Sequence, residues 1–429
     1  MTTDTAPAPQ SSVAEDVATG PRFAVSALVT NLRDYGLILA LIAIMVFFQL
    51  TTGTLFRPLN LSNLVQQNSF IIVMALGMLL VIVAGHIDLS VGSVAGFIGA
   101  LGAMMMVIWP LGIFSNPLVV SIVCLIIGGL IGAAQGYWIA YHRIPSFIVT
   151  LAGMLIFRGM CQALLGGGSS VGPLPDPFKQ LSSGFIPDLI GSLTLVAPTV
   201  NAAGKTIVGS GVVLHSTTML IGIIGALAYF YFGLQARRTR ERHGYRAEPF
   251  ALFAVKTAVI AALALFLVYQ FASYKGFPIV LVVMGLLIGL FVFVTKRTTI
   301  GRRVYAMGGN IKAAQLSGIK TERLTLFVFI NMGVLSALGG LIIAARLGQA
   351  VPAAGSGSEL DVIAAVFIGG ASAMGGVGQV AGSVVGGFIM GVMNNGMSIM
   401  GVNVDWQQVV KGLVLLGAVV FDVYNKNKG

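Results

Sequence analysis

Charge is what this chain has least of. Lys, Arg, Asp and Glu together make 9% of its 429 residues, against roughly 25% in soluble domains. So small a share cannot clothe the water-facing surface of a folded chain this long, which excludes an ordinary soluble enzyme or binding module. Cysteine is nearly as scarce: Cys124 and Cys161 both fall inside apolar segments, where they suit small packing positions and make no disulfide framework. The four histidines, His86, His142, His215 and His243, are too scattered for a spaced metal site, and none is expected. A phosphate loop is absent, because Gly204-Lys205-Thr206 is preceded by Thr199 where that motif needs glycine. No Gly-x-Ser-x-Gly elbow with acid and histidine partners occurs, so no catalytic site is expected. The first residues lack the basic-then-apolar order of a secretory signal.

Apolar residues are there instead. They make 56% of the chain, mean hydropathy is +0.93, and glycine occurs 56 times, which suits close helix packing in lipid. At about 20 apolar residues per crossing, twelve segments read as spans: 35–51, 69–85, 92–109, 118–141, 146–165, 217–235, 251–272, 278–295, 325–346, 360–375, 380–399 and 405–424. The short, glycine-rich 360–375 segment reads as a half-helix or re-entrant piece. The fold class is therefore an all-α polytopic membrane protein with about 10–12 transmembrane helices. Residues 1–34 read as a disordered cytoplasmic tail, 35–424 as one membrane domain and 425–429 as a C-terminal tail. With the N-terminus inside, seventeen Lys and Arg fall on inner segments and five on outer ones, which places both termini in the cytoplasm. The same bias explains the net charge of +11, so nucleic acid is not an expected partner and the lipid membrane is. The longest outer loop is 166–216, and the largest inner one is 296–324.

An internal repeat is visible. Ser90-Val91-Gly92-Ser93-Val94-Ala95-Gly96 aligns with Gly376-Val377-Gly378-Gln379-Val380-Ala381-Gly382, each a polar turn opening an apolar helix. Both turns fall on the same side, which predicts two parallel-repeat halves with glycine-rich discontinuous helices. Asp88 and Ser90 read as helix-start caps, and Glu359 and Asp361 as acids favouring the positive N-terminal end of a helix. Neutral amides in or beside the spans, Gln66, Gln67, Asn68, Asn331, Asn394 and Asn395, are the candidates for a translocation path. Such groups donate and accept without ionising, as a polyhydroxylated solute requires; interhelical hydrogen bonding is their alternative use. The inner loop contains Lys312-Ala313-Ala314-Gln315-Leu316-Ser317-Gly318, a short helix signal closed by glycine. A membrane body with such an element and no energy-coupling motif of its own takes its power from a partner.

Several motifs in order then resemble one family. Gly85-His86-Ile87-Asp88-Leu89-Ser90-Val91-Gly92-Ser93, Ile144-Pro145-Ser146-Phe147-Ile148-Val149-Thr150-Leu151, Tyr305-Ala306-Met307-Gly308-Gly309-Asn310, Glu359-Leu360-Asp361-Val362-Ile363-Ala364-Ala365-Val366 and Trp406-Gln407-Gln408-Val409-Val410-Lys411-Gly412 look like the permease subunits of bacterial sugar ABC importers. The likeness covers about 35–424 and is greatest to the xylose and multiple-monosaccharide branch, with the ribose permeases as relatives. It implies a homodimeric path through the inner membrane, worked by alternating access. A cytoplasmic ATPase would use ATP and Mg, this chain binding no cofactor, and a periplasmic protein would deliver the sugar. Of the family's docking pattern, Glu-Ala-Ala-x-x-x-Gly, this chain keeps Ala313, Ala314 and Gly318, with Lys312 standing where the glutamate would be; together with Gly309 and Asn310 just before it, these are the residues the resemblance implies for ATPase coupling. The competing class is an ion-coupled secondary sugar transporter, which would need acids or histidines inside the spans.

Overall fold

Pro58 and Pro117 each stand at the first position of a long apolar helix, where the missing N–H costs nothing and the fixed φ suits the turn. In the computed structural model, residues 21–110, 112, 116–195, 198–200, 206–208, 212–243 and 250–427 are described. The helices are α1 (Pro21–Thr52), α2 (Pro58–Val83), α3 (Val91–Ala103, continued by a π-helical turn, Met104–Ile108), α4 (Pro117–Tyr141), α5 (Ser146–Leu164), α6 (Asp176–Ser183), α7 (Ser216–Arg242), α8 (Phe250–Ala272), α9 (Ile279–Arg297), α10 (Thr299–Gly309), α11 (Ile311–Leu316), α12 (Thr321–Leu347), α13 (Ser358–Ile368), α14 (Val380–Ile399) and α15 (Val404–Asn427). Two small antiparallel ladders, β1 (Leu193–Leu195) with β4 (Val212–Leu214) and β2 (Pro198–Val200) with β3 (Thr206–Val208), lie in the long loop before α7. Each of the twelve expected segments contains a helix, although that of 360–375 ends at Ile368. Among the described residues nine helices are long and apolar enough to cross a membrane, and the apolar part of α1, 36–52, is shorter. The molecule is an all-α polytopic membrane protein.

The tail expected over 1–34 is shortened by α1, which is helical from Pro21; residues 1–20 lie outside the described residues. At the other end α15 runs to Asn427, leaving 428–429 outside them.

Helices α2 and α12 form the centre. Ile72, Met74, Leu76, Leu79 and Phe329 are fully buried there, while α7 and α8 pack mainly on each other and stay bare on most faces. Small residues set the closest approach: α4 crosses α12 where Gly132 and Gly128 meet Phe329 and Gly333, and a Cβ on Gly132 would overlap the Phe329 carbonyl oxygen. In lipid, such backbone proximity stands in for the missing hydrophobic drive between helices.

Two elements are discontinuous. The chain breaks at 84–90 between α2 and α3, and α13, eleven residues long, is about 16 Å at 1.5 Å per residue, half of a ~30 Å hydrocarbon core. The two glycine turns do lie together: the Gly376 N–H donates to the Val83 carbonyl at 2.9 Å. Their relation is nevertheless not the parallel one. Exchanging α2, α3, α4 and α5 with α12, α13, α14 and α15 maps every packed pair onto another packed pair. Thus α4 on α12 becomes α14 on α2, α3 on α12 becomes α13 on α2, and α3 on α5 becomes α13 on α15. Six crossings separate α2 from α12, so the two sets traverse in opposite directions, as an inverted repeat does. Short glycine turns look alike wherever an apolar helix begins, which is why the sequence match suggested a different pairing.

Candidate functional site

The inner-loop element has a defined local cause. Thr298 caps α10, its hydroxyl accepting from the Gly301 N–H at 3.2 Å. Asn310 caps α11, its Oδ1 accepting from the Ala313 N–H at 3.0 Å. At the far end the Gly318 N–H donates to the Gln315 carbonyl at 2.9 Å and the Ile319 N–H to Ala314 at 3.1 Å. With Gly318 at φ +77, this is the two-bond closure expected where a glycine follows a helix. Gln315 Nε2 then donates to Thr321 Oγ1 at 3.1 Å, tying α11 to α12. Leu316 projects outward, 90% exposed, beside the half-exposed Ile311. Ala314 is buried, while Ala313, Gly309 and Asn310 face outward.

This element bears directly on the helix breaks. Gly308 sits where a Cβ would overlap the Val83 carbonyl and lie 2.7 Å from the Gly376 nitrogen, whereas Gly309 next to it faces open space. The Tyr305 hydroxyl donates to the Gly378 carbonyl at 2.8 Å. One short helix therefore touches both the end of α2 and the turn that leads from α13 to α14.

Within the first break, Asp88 Oδ1 accepts from the Ser90 N–H at 2.8 Å and from the Ser90 hydroxyl at 2.7 Å. Gln135 Nε2 of α4 donates to Ser90 Oγ at 3.0 Å. The expected caps take another form here. Ser90 is already αR, with φ −86 and ψ −13, and its side chain makes no cap bond to α3. The pair instead pins the break to α4. At α13, Glu359 and Asp361 do occupy the first turn, yet Asp361 also pairs with Lys411 Nζ of α15 at 3.0 Å and accepts from Asn394 Nδ2 at 3.2 Å. Arg158 of α5 donates to Ser356 Oγ just before α13.

The six amides do not share one surface. Asn68 Nδ2 donates to the Leu64 carbonyl of its own helix at 2.7 Å. Asn395 exchanges hydrogen bonds with Asn60 at 3.1 and 3.3 Å and donates to Gln67 Oε1 at 3.4 Å. Asn394 belongs to the Asp361 group, and Asn331 Nδ2 lies buried within α12. Gln66 Oε1 accepts from Arg346 Nη1 at 2.8 Å. Gln66 and Gln67 line a cavity of about 520 Å³ at the end of α2 and α12 away from α10 and α11, with Arg346, Tyr274, Lys275 and Phe185 around it. A second cavity of about 450 Å³ lies near α11, between His86, Arg143, Ser146, Gln315 and Glu322.

Sequence reasoning missed Lys411, Arg346, Arg158 and Gln135 as partners. For the three cations an ionisable residue in or beside an apolar run was the available signal, since lipid tolerates one only when paired or facing water; for Gln135 it was a neutral amide within an apolar run. It also missed Asp188, which ties the long loop to α7 by accepting from the Ser216 and Thr217 N–H groups, each at 3.1 Å, and from the Thr217 hydroxyl at 2.8 Å. Burial pushes the Asp188 carboxyl up, but hydrogen bonds from Thr217, Ser216 and Ile190 outweigh it and hold the group below the usual carboxylate range.

Comparison with known proteins follows the same lines. Residues 60–419 match the family described as branched-chain amino acid transport system / permease component. The xylose transport system permease protein XylH of Escherichia coli K12 is 40% identical over 401 residues, 93% of each chain. The XylH of Haemophilus influenzae is 39% identical over 400 residues, 93% of this chain and 98% of that one. The ribose import permease protein RbsC of Escherichia coli K12 is 31% identical over 385 residues, 90% of this chain and 92% of its own. No solved structure matches significantly.

Proposed function

Because the chain belongs to the branched-chain amino acid transport system / permease component family, and within it is a sugar ABC permease of the xylose and ribose type, we propose that it forms the translocation path of an ATP-driven monosaccharide importer. Xylose is the substrate class that its relatives' names suggest. Two copies would form the path in the inner membrane. A cytoplasmic ATPase would supply the work with ATP and Mg, and a periplasmic sugar-binding protein would deliver the solute. The distribution of Lys and Arg supports a cytoplasmic side for α10 and α11 with both termini, and a periplasmic one for the 166–216 loop.

The observation that carries this reading is the seat of α10. A partner that grips the Leu316 tip of α11 and moves Gly309, Asn310, Ala313, Ala314 and Gly318 as a block would move Gly308 against Val83 and Gly376. Force on a rigid helix then reaches both breaks together, which a flexible loop could not transmit. Alternating access follows when α3 and α13 swing about those breaks, with the Asp88–Ser90–Gln135 trio tying the first break to α4 and the Asp361–Lys411 pair tying α13 to α15.

The test is uptake of labelled xylose by cells carrying the chain with its neighbouring ATPase and binding protein. Uptake should survive an uncoupler and stop on ATP depletion, and the ATPase should co-purify. Accumulation of sugar against a gradient by vesicles holding this polypeptide alone would overturn it.

A further inference from the structure

The last turns of α7 concentrate positive charge: from Arg237 to Glu248 the chain holds five arginines against two glutamates. We propose that one stripe of α7, formed by Tyr231, Gln235, Arg238 and Arg242, binds the headgroup of an anionic phospholipid. Helix length puts the stripe at the right depth. α7 has 27 residues and is about 40 Å long at 1.5 Å per residue, about 10 Å more than a ~30 Å hydrocarbon core. Its first turn is tied to the long loop, Asp188 accepting from the Ser216 and Thr217 N–H groups, and its apolar run ends at Leu234. The excess therefore falls among the arginines, at headgroup level.

Positions 231, 235, 238 and 242 follow the i, i+4, i+7, i+11 spacing of one helix face, and all four residues are exposed. The next face shows how the protein satisfies an arginine here. The Arg237 guanidinium lies over the Phe250 and Phe253 rings at 5.5 and 5.9 Å, and its Nε donates to Glu241 at 2.9 Å. Glu241 is thereby engaged, and Arg238 and Arg242 have no ion pair among the described residues. Two guanidiniums one turn apart, with about 5–6 Å between their Cβ atoms, can close on a single phosphodiester through paired N–H donors. Gln235 and Tyr231, nearer the hydrocarbon, present an amide and a phenol to glycerol and ester oxygens, at the depth where tyrosine is enriched in membranes. With no free carboxylate on the stripe, an ethanolamine ammonium finds no counter-charge there. The site selects a headgroup that is anionic overall, as phosphatidylglycerol is.

Native mass spectrometry of the delipidated full chain, titrated with phosphatidylglycerol or phosphatidylethanolamine of matched acyl chains, tests the site. Phosphatidylglycerol should bind saturably and at least about tenfold more tightly than phosphatidylethanolamine. Replacing both Arg238→Gln and Arg242→Gln should weaken it at least about tenfold, with the melting temperature of the lipid-free chain unchanged. A matched pair of single variants keeps the test independent of insertion. Arg242→Gln should weaken phosphatidylglycerol about fivefold. Arg240→Gln removes the same charge from the opposite flank of α7 and should stay within about twofold of the wild-type chain. Equal effects of the two single variants, equal affinity for the two lipids, or full phosphatidylglycerol binding by the double variant would each overturn the site. Full lipid binding by the double variant together with loss of a co-purifying ATPase would assign the stripe to a protein partner instead.

Discussion

Adjacent glycines at the end of α10 offer a controlled test of the lever. Gly308 and Gly309 share a helix and a composition, but a methyl group on the first would overlap the Val83 carbonyl and crowd the Gly376 nitrogen at 2.7 Å, while one on the second meets nothing within 4 Å. Real Cβ atoms essentially never come closer than 3.0 Å to such neighbours, and both neighbours here are backbone, which no rotamer change can move aside. Gly308→Ala must therefore lift α10 away from the breaks or part the Gly376–Val83 hydrogen bond, now 2.9 Å. Overpacking costs about 1–3 kcal/mol and a lost hydrogen bond about 0.5–1.5 kcal/mol. Together these come to about 2–4 kcal/mol against the seated position, one and a half to three orders of magnitude at about 1.4 kcal/mol per factor of ten. Sugar-stimulated ATP hydrolysis and uptake by the assembled importer should fall at least about tenfold in Gly308→Ala, with membrane insertion and expression retained. Gly309→Ala should stay within about twofold of wild type. Equal activities in the two variants would refute the view that α10 works by its seat on Val83 and Gly376.

Other consequences are as direct. Gly318→Val places a β-branched residue at φ +77 with open space around it, so the penalty is conformational, about 1–2 kcal/mol for the left-handed region; sugar-dependent hydrolysis should be lost with insertion intact, and unchanged hydrolysis would count against α11 as the grip. Lys411→Met leaves Asp361 buried without its cation, a loss of about 3–5 kcal/mol visible as a lower melting temperature by fluorescence-detected size exclusion, and the double variant with Asp361→Asn should recover most of it; no recovery would mean that the pair is not what joins α13 to α15. Asp188 titrates below its usual value, so its tie to Ser216 and Thr217 is fully present above the ordinary carboxylate value of about 3.9 and is lost as pH falls through the lowered folded-state value. Limited proteolysis with an acid-active protease should cut the 184–215 loop faster below about pH 4, and Asp188→Asn should do so at neutral pH. Cutting that does not change across this window would remove Asp188 as the tie.

Much of this was legible along the chain because lipid imposes a one-dimensional rule. A helix that must satisfy its own backbone in hydrocarbon needs about 20 apolar residues, so the long apolar helices could be read, and α13 stood out as too short and glycine-rich to be an ordinary crossing. The α10–α11 element was legible for a similar reason: Asn310 and Gly318 are cap residues whose effect stays within one helical turn. What the sequence alone determined, then, is whatever rests on neighbours in the chain, namely spans, breaks, caps and the kinship they reveal. Only the tertiary structure decided that the repeat is inverted, that Asp88 and Ser90 bind Gln135 rather than cap α3, that Asn394 belongs with Asp361 and Lys411, and that Gly308 rather than Gly309 carries the contact. Each of those depends on which face of one helix meets which face of another, and a local pattern of apolar residues and glycines leaves that choice open until backbones approach closely enough for one methyl group to matter.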